Sequence, residues 1–486
     1  MLAESRQQKL RSPWMWGVVI GISVVAFYLS TLTNLGVLAL AAGFAALVAI
    51  VWSVQLTQRR IVTTLLALSI LGPGIPAIGA LKVRPEELLL LALLPIVVTR
   101  LQMRWHWIDL GFLLVAFSTG VSLLWGMWYL NIPFSPRDLM EFVKLIKFWL
   151  LFRVAFRSWS GQDIRYLMRG IIVLTCLAGV IAIIQWTDWG GIGSWTKELY
   201  GLGNIHVRKT RVIGTMQSPN YSAMLLLGGL AFVITAYQWK KSSWRTIVPL
   251  FLLLIGSALT LSRTGVAATS ILFAVVLGLR MVWLWKISPR RWIKTLLIAL
   301  IIIAILGITV GLWVYNQLQA LQRMTPQQRL VYYRQGLIQR ILFRFVADNL
   351  ERGTRTRLSI WQRHFPAIWE SPLLGWGPGK SVHATVTDNG YVLFLRRYGV
   401  VGTIINLLLY GTVLHTCWRR LRYHPYQSPH WNAALAVLGI TLTYLAANLT
   451  MEVFYELQLM AFYWLSVGIA CSTSSCMAPI PSSSRT

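Results

Sequence analysis

Runs of about 20 consecutive apolar residues recur along this chain, and that repeat decides what it can fold into. A run of this length crosses the hydrocarbon layer as a helix, because lipid offers no partner for backbone N–H and C=O groups. About 14 such runs follow from that length rule. They centre on residues 14–32, 35–56, 61–81, 85–101, 108–128, 139–156, 170–186, 222–239, 246–261, 266–285, 293–314, 391–415, 433–449 and 455–471. The 61–81 run is interrupted by Gly72-Pro73-Gly74-Ile75-Pro76, and the 139–156 run carries Glu141, Lys144 and Lys147. Hydrophobic residues make up 56% of the chain, charged ones only 12%, which excludes a water-soluble domain. The expected fold is all-α: a polytopic transmembrane helix bundle of about 12–14 spans, with one long extracytoplasmic loop containing amphipathic helices.

Charge sets the expected orientation. Short loops rich in Lys and Arg stay in the cytoplasm, and here they recur after every second span: the N-terminus, Arg59-Arg60, Arg100 with Arg104, residues 153–169, Lys240-Lys241 with Arg245, residues 286–294, and Arg419-Arg420 with Arg422. Both termini then lie inside, and the first run reads as a retained signal anchor. The chain divides into N-terminal spans with a first large outer loop (1–218), spans joined by a Ser-Arg-Thr-Gly turn (219–314), an extracytoplasmic loop (315–389), C-terminal spans (390–472) and a cytoplasmic tail (473–486). A net charge of +30 is accounted for by topology and anionic headgroups, so no nucleic-acid partner is expected. Trp residues at span ends, such as Trp105, Trp107, Trp283 and Trp285, read as an interfacial belt. The four cysteines have no metal or redox spacing.

Topology does not account for the many arginines on the outward side, among them Arg137, Arg208, Arg211, Arg263 and Arg357. Arg263 stands out because it sits between two apolar helices with almost no loop, and a cation at membrane depth is a functional-site candidate. In the long loop, residues 327–350 form a basic amphipathic pattern suited to lying along the outer membrane surface. Pro372 stops a helix, and Gly375, Gly377 and Gly379 make a turn that lets backbone approach a ligand. Asp388 or Asn389 caps the helix that follows.

Four groups of residues resemble one family. Pro219-Asn220 opens a helix after an outward loop, and Ser262-Arg263-Thr264-Gly265 links two helices. Arg357 to Trp361 precedes Pro372-x-x-Gly375-x-Gly377, and Asn389-Gly390-Tyr391 precedes Tyr398-Gly399-x-x-Gly402. Their order and spacing resemble the O-antigen ligase and O-antigen polymerase superfamily of bacterial envelope glycosyltransferases, over the chain from Gly214 onward. The resemblance implies glycan transfer from a polyprenyl-diphosphate carrier to a sugar hydroxyl, at the outer face of the bacterial inner membrane. Its partners would be the lipid-linked donor, a glycan or lipid-linked acceptor, and membrane lipids.

Elementary chemistry asks for the same parts. Cleaving a sugar–diphosphate bond builds negative charge on the leaving oxygen, which arginine forks clamp. Arg263 and Arg357 are the first choices, with Arg211 and Arg355 in reserve; Asn220, Asn389, Gly375 and Gly377 complete the expected substrate-binding set. A general base must take the acceptor proton. Family ligases usually place a histidine just before the residue matching Asn389, where this chain has Asp388; His383, a few residues upstream, is the other candidate. That departure favours a polymerase or another polysaccharide-processing member. No metal and no cofactor are expected, since the carrier supplies an activated donor and no nucleotide-binding motif is present. The alternative is a membrane transporter of an anion such as bicarbonate or of a lipid-linked glycan, with Glu141–Lys144 as an interior ion pair. A noncatalytic scaffold has no specific support.

Overall fold

The computed structural model describes residues 57–73, 75–76, 82–100, 105–200, 211–236, 244–287, 350–379 and 387–472. The expected spans at 14–32, 35–56 and 293–314, the amphipathic pattern at 327–350 up to its last residue, and His383 lie outside the described residues. Two compact units divide the chain, residues 1–104 and 105–486.

In the first unit α1 (Gln58–Leu71) packs on α2 (Pro85–Arg100), with a two-residue antiparallel pair between them, β1 (Ile75–Pro76) and β2 (Lys82–Val83), in which Ile75 faces Val83. Helix α1 stops short of the 61–81 run that hydropathy outlines: Gly72 is its C-cap, with extended backbone and its N–H donated to Leu68 O. The reason lies at the next residue, because Pro73 disfavours helical backbone before it.

The second unit contains α3 (Trp107–Trp128), α4 (Pro136–Ala155), α5 (Gly161–Thr187), α6 (Ile192–Tyr200), α7 (Pro219–Ala236), α8 (Trp244–Leu259), α9 (Arg263–Ile287), α10 (Leu350–Glu370), α11 (Gly390–Tyr423), α12 (Pro429–Ala447) and α13 (Leu457–Ala470). Local sequence starts them. Ser135 with Asp138 and Ser160 with Asp163 form reciprocal capping boxes on α4 and α5, and Pro136 and Pro429 occupy the first helical positions of α4 and α12. Among the described residues six helices are long and apolar enough to cross a membrane (α3, α5, α7, α9, α11 and α12), and α8 and α13 are shorter apolar helices. The protein is a polytopic membrane helix bundle.

Burial separates centre from rim: 83% of the apolar window of α7 and of α12 is buried, against 28% for α9. Helix α12 packs against α7, α9 and α11; α3 lies on α11, α4 on α13, and α8 on α5 and α7. An aromatic core joins these layers, with Tyr410 stacked on Phe454 at 4.0 Å and Phe112 tilted against Trp464 at 4.5 Å.

Helix α11 is broken at Gly399 (φ 61°, ψ −167°). The turn after α10 fills the break. Trp376 and Gly377 N–H donate to the Arg396 and Arg397 carbonyls (both 2.9 Å), while Val400 and Val401 N–H donate to the Pro372 and Leu373 carbonyls (2.8 and 3.2 Å). The Ser122 hydroxyl of α3 also donates to Arg397 O. Gly375, at φ 73°, lies so close that a Cβ there would meet the Arg397 carbonyl at 2.5 Å. The glycine pattern therefore positions one backbone against another, and these pairs satisfy the groups the break frees.

Candidate functional site

The candidate site sits at the end of the second unit where α7, α9, α11 and α13 begin and α8 and α12 finish. The loop residues 211–213 lead into it. Gln185 of α5 fixes that segment by accepting from Ile213 and Gly214 N–H (3.0 and 2.8 Å) and donating to Gly214 O (2.8 Å). Arg211, so placed, donates Nε to Thr260 O (3.1 Å) and Nη2 to Leu261 O (3.2 Å) and to Asn220 Oδ1 (3.1 Å). A cation just beyond the C-terminus of α8 is favoured there by the helix dipole. Asn220 Oδ1 also accepts from the Ser262 hydroxyl at 2.9 Å, and Ser262 Oγ accepts from Gly265 N–H at 3.0 Å. The turn from Thr260 to Ser262, with Leu261 at φ 51°, is thus clamped from three sides. Arg263, half-buried, is the first residue of α9 beyond it.

A second group is built on the entry to α11. Asn389 is the N-cap, its Oδ1 accepting from Tyr391 N–H (2.9 Å) and Val392 N–H (3.1 Å). Thr387 donates its N–H (2.9 Å) and its hydroxyl (2.7 Å) to Glu452 Oε1, and its carbonyl accepts from the Trp361 indole of α10 at 3.1 Å. Asp388, between them, adopts φ 48°, uncommon for any residue but glycine and most tolerated by Asn and Asp. Burial pushes the half-buried Asp388 carboxyl above the usual Asp value, Arg357 draws it back down, and Glu452 pushes it up further. Tyr221, the residue after Asn220, lies in electrostatic range of Glu456, Glu452 and Asp388.

The two groups meet. Thr264, next to Arg263, has its hydroxyl 3.0 Å from that of Thr450, on the same segment as Glu452. Arg211, Asn220 and the Arg263 turn therefore form one unit, Arg357, Asp388 and Asn389 another, and residues 448–456 connect them. Arg355 belongs to α10, but its side chain lies outside the described residues, as does His383. Gly375 and Gly377 lie at the break in α11. Sequence reasoning missed Thr387 and Tyr221, which belong to no motif, and did not assign Glu452 to the site.

A third polar cluster lies deeper. Glu141 pairs with Lys144 (2.9 Å) and with Arg397 (3.3 Å), and the Arg397 guanidinium stands 4.7 Å from the centre of the Tyr455 ring. It borders a cavity lined by Glu141, Lys144, Tyr398, Asn406, Tyr455 and Trp464 among others. Among the described residues no three His, Cys, Asp or Glu side chains are grouped to hold a metal ion.

Residues 248–407 match the family model described as O-antigen ligase. The chain carries a domain of the O-antigen ligase superfamily. This O-antigen ligase domain runs from α8 through the Arg263 turn to the break in α11, so it contains Arg263, Arg357, Asp388 and Asn389; Arg211 and Asn220 precede it and Glu452 follows it. No curated protein matches the chain. The family is one of membrane glycosyltransferases of ligase or polymerase type, with a lipid-linked glycan and an acceptor as substrates.

Proposed function

We propose that this protein transfers glycan from a polyprenyl-diphosphate carrier onto a sugar hydroxyl at the outer face of the bacterial inner membrane. The observation that carries the reading is Asp388, a carboxylate of raised proton affinity, beside Arg357 at the bundle end that also presents Arg263, inside the segment that matches the family. In the reaction, the acceptor hydroxyl oxygen bonds to the anomeric carbon as the bond from that carbon to the diphosphate oxygen breaks. Asp388 takes the hydroxyl proton, and the electron pair of the broken bond leaves with the polyprenyl diphosphate. Arg263 and Arg357 hold that growing charge through paired N–H donors. The clamped turn at 260–262 supports this role for Arg263, since a charge stabiliser must be in place before the reaction begins.

Orientation follows from charge. Arg419, Arg420 and Arg422 fall at the opposite end of α11 from Asp388, which by the positive-inside rule supports an outward-facing site. An aspartate where family ligases usually have histidine favours a polymerase or another polysaccharide-processing member over a strict ligase.

One observation bears on the transporter reading: a broken helix beside buried charge is how carriers build midplane sites. Here the carbonyls of Arg396 and Arg397 and the amides of Val400 and Val401 are bonded to the 372–377 turn instead of lining a path, which favours transfer.

The test is purified protein in liposomes with a synthetic undecaprenyl-diphosphate-linked oligosaccharide and a sugar acceptor. Transfer with release of undecaprenyl diphosphate is expected, and its loss in Arg263→Ala and Arg357→Ala. Normal transfer in both variants, or movement of a labelled anion without consumption of donor, refutes the reading.

A further inference from the structure

We propose that Glu452 is a positioning residue for the transfer site: through Thr387 it locks the backbone on which the base, Asp388, is carried. This rests on the glycosyl-transfer reading and extends it to a residue beyond the matched 248–407 segment.

Asp388 stands at φ 48°, and a residue held there stays only when its neighbours over-determine it. On its C-terminal side, Asn389 Oδ1 is tied to two α11 amides, and Gly390 N–H donates to Asn448 O at 2.8 Å. On its N-terminal side Thr387 is held at its carbonyl by the Trp361 indole and at its amide and hydroxyl by one oxygen of Glu452. Glu452 Oε1 accepts both the amide and the hydroxyl of Thr387, and that hydroxyl also lies 2.8 Å from Asn389 O, across Asp388. Thr387 is almost fully buried, so these donors have no water to turn to. Glu452 is itself held, because residues 448–456 run from the end of α12 through Thr450, bonded to Thr264, into the aromatic core at Phe454. A carboxylate so fixed sets the Asp388 side chain against Arg357, and displacement of a base by about 1 Å is enough to cost two orders of magnitude in rate.

Among the described residues, the charged and titratable groups facing Asp388 are Arg357 from α10, Glu452 from residues 448–456 and Tyr221 from α7. Glu452 does two separable things there: it accepts hydrogen bonds, and its charge raises the proton affinity of Asp388. Glutamine keeps an accepting oxygen and drops the charge; alanine drops both.

The experiment measures release of undecaprenyl diphosphate from a synthetic undecaprenyl-diphosphate-linked oligosaccharide in proteoliposomes, across pH, for full-length Glu452→Ala, Glu452→Gln and Asp388→Asn. Glu452→Ala should lower kcat by about 10- to 100-fold with KM little changed. Glu452→Gln should keep kcat within about threefold of wild type, and its acid limb should move to lower pH, because a negative neighbour of Asp388 is gone. Wild-type kcat in Glu452→Ala, equal loss in both variants, or an unmoved acid limb in Glu452→Gln each overturns the proposal. If Glu452→Ala does not fold, Thr387→Ala and Thr387→Ser take its place: serine should restore the rate that alanine loses, and failure of that rescue refutes the clamp. Wild-type activity in Asp388→Asn would instead refute the base, and with it the transfer mechanism, whatever residue 452 does.

Discussion

Replacing Gly399 by alanine should be among the most damaging single changes in the protein, though it touches neither charge nor substrate. At φ 61°, ψ −167° the residue occupies a region open almost only to glycine, where a side chain costs about 1–3 kcal/mol. The new Cβ would also meet the Leu373 carbonyl, and Leu374 N at 2.5 Å. These are backbone atoms, so the 372–377 turn must withdraw. Withdrawal breaks the bonds from Val400 N–H to Pro372 O and from Val401 N–H to Leu373 O, and each donor left open costs about 1–3 kcal/mol. The total is roughly 3–9 kcal/mol, a large share of the 5–15 kcal/mol by which proteins are ordinarily stable. Thermal unfolding of the detergent-purified variant should show a fall in Tm of at least about 5 °C. Gly278→Ala, at a helical position where an added Cβ would have nothing within 4 Å, is the control and should leave Tm equal or slightly higher. If Gly399→Ala unfolds within about 1 °C of wild type, the loop does not fill the break as argued.

Further outcomes follow from the polar clusters. Asp388→Asn should cut transfer by about 10²- to 10⁴-fold, while wild-type activity falls as pH drops through the raised Asp388 pKa. Because that folded-state pKa lies above the ordinary Asp value of 3.8, the ionised carboxylate weakens the fold at neutral pH. Asp388→Asn should therefore raise Tm near pH 7, with the gain vanishing as pH falls below the unfolded value; a lower Tm at neutral pH contradicts this. Arg211→Ala removes three hydrogen bonds from the 260–262 turn and should cost about 2–4 kcal/mol, read as lowered Tm together with lost transfer. Glu141→Ala leaves Arg397 and Lys144 without their shared carboxylate and should cost about 3–5 kcal/mol, with Glu141→Ala/Arg397→Met recovering part of it in the same melt.

Much of this architecture was legible in the sequence because its causes are local. Apolar length marks α3, α5, α7, α9 and α12; the turn before Arg263 follows from Ser-Arg-Thr-Gly between two apolar runs; and the Glu141–Lys144 pair follows from i,i+3 spacing on one helix. What escaped is long-range. Arg397 reaches Glu141 across more than 250 residues, and nothing in either neighbourhood announces the partner. Gly375 and Gly377 were legible as a turn that admits close approach, yet only the folded chain reveals that the approaching group is the Arg397 backbone. Arg211 read as an anion clamp because it is an outward arginine, but it commits Nε and Nη2 to the turn that follows α8. The Glu452–Thr387 clamp joins segments 65 residues apart and has no pattern to betray it.

The interruption at Gly399 also insulates one half of α11 from the other. In an unbroken helix, a single-residue insertion turns everything beyond it by about 100° and shifts it about 1.5 Å. Such a slip in the lower half, or a change of tilt in a thicker bilayer, would otherwise swing Asn389 and the residue before it out of aim. Residues 390–398 are fastened to the 372–377 turn and to Asn448, and Val400 and Val401 to the same turn, so a register slip or tilt beyond Val401 is taken up there while the entrance stays put.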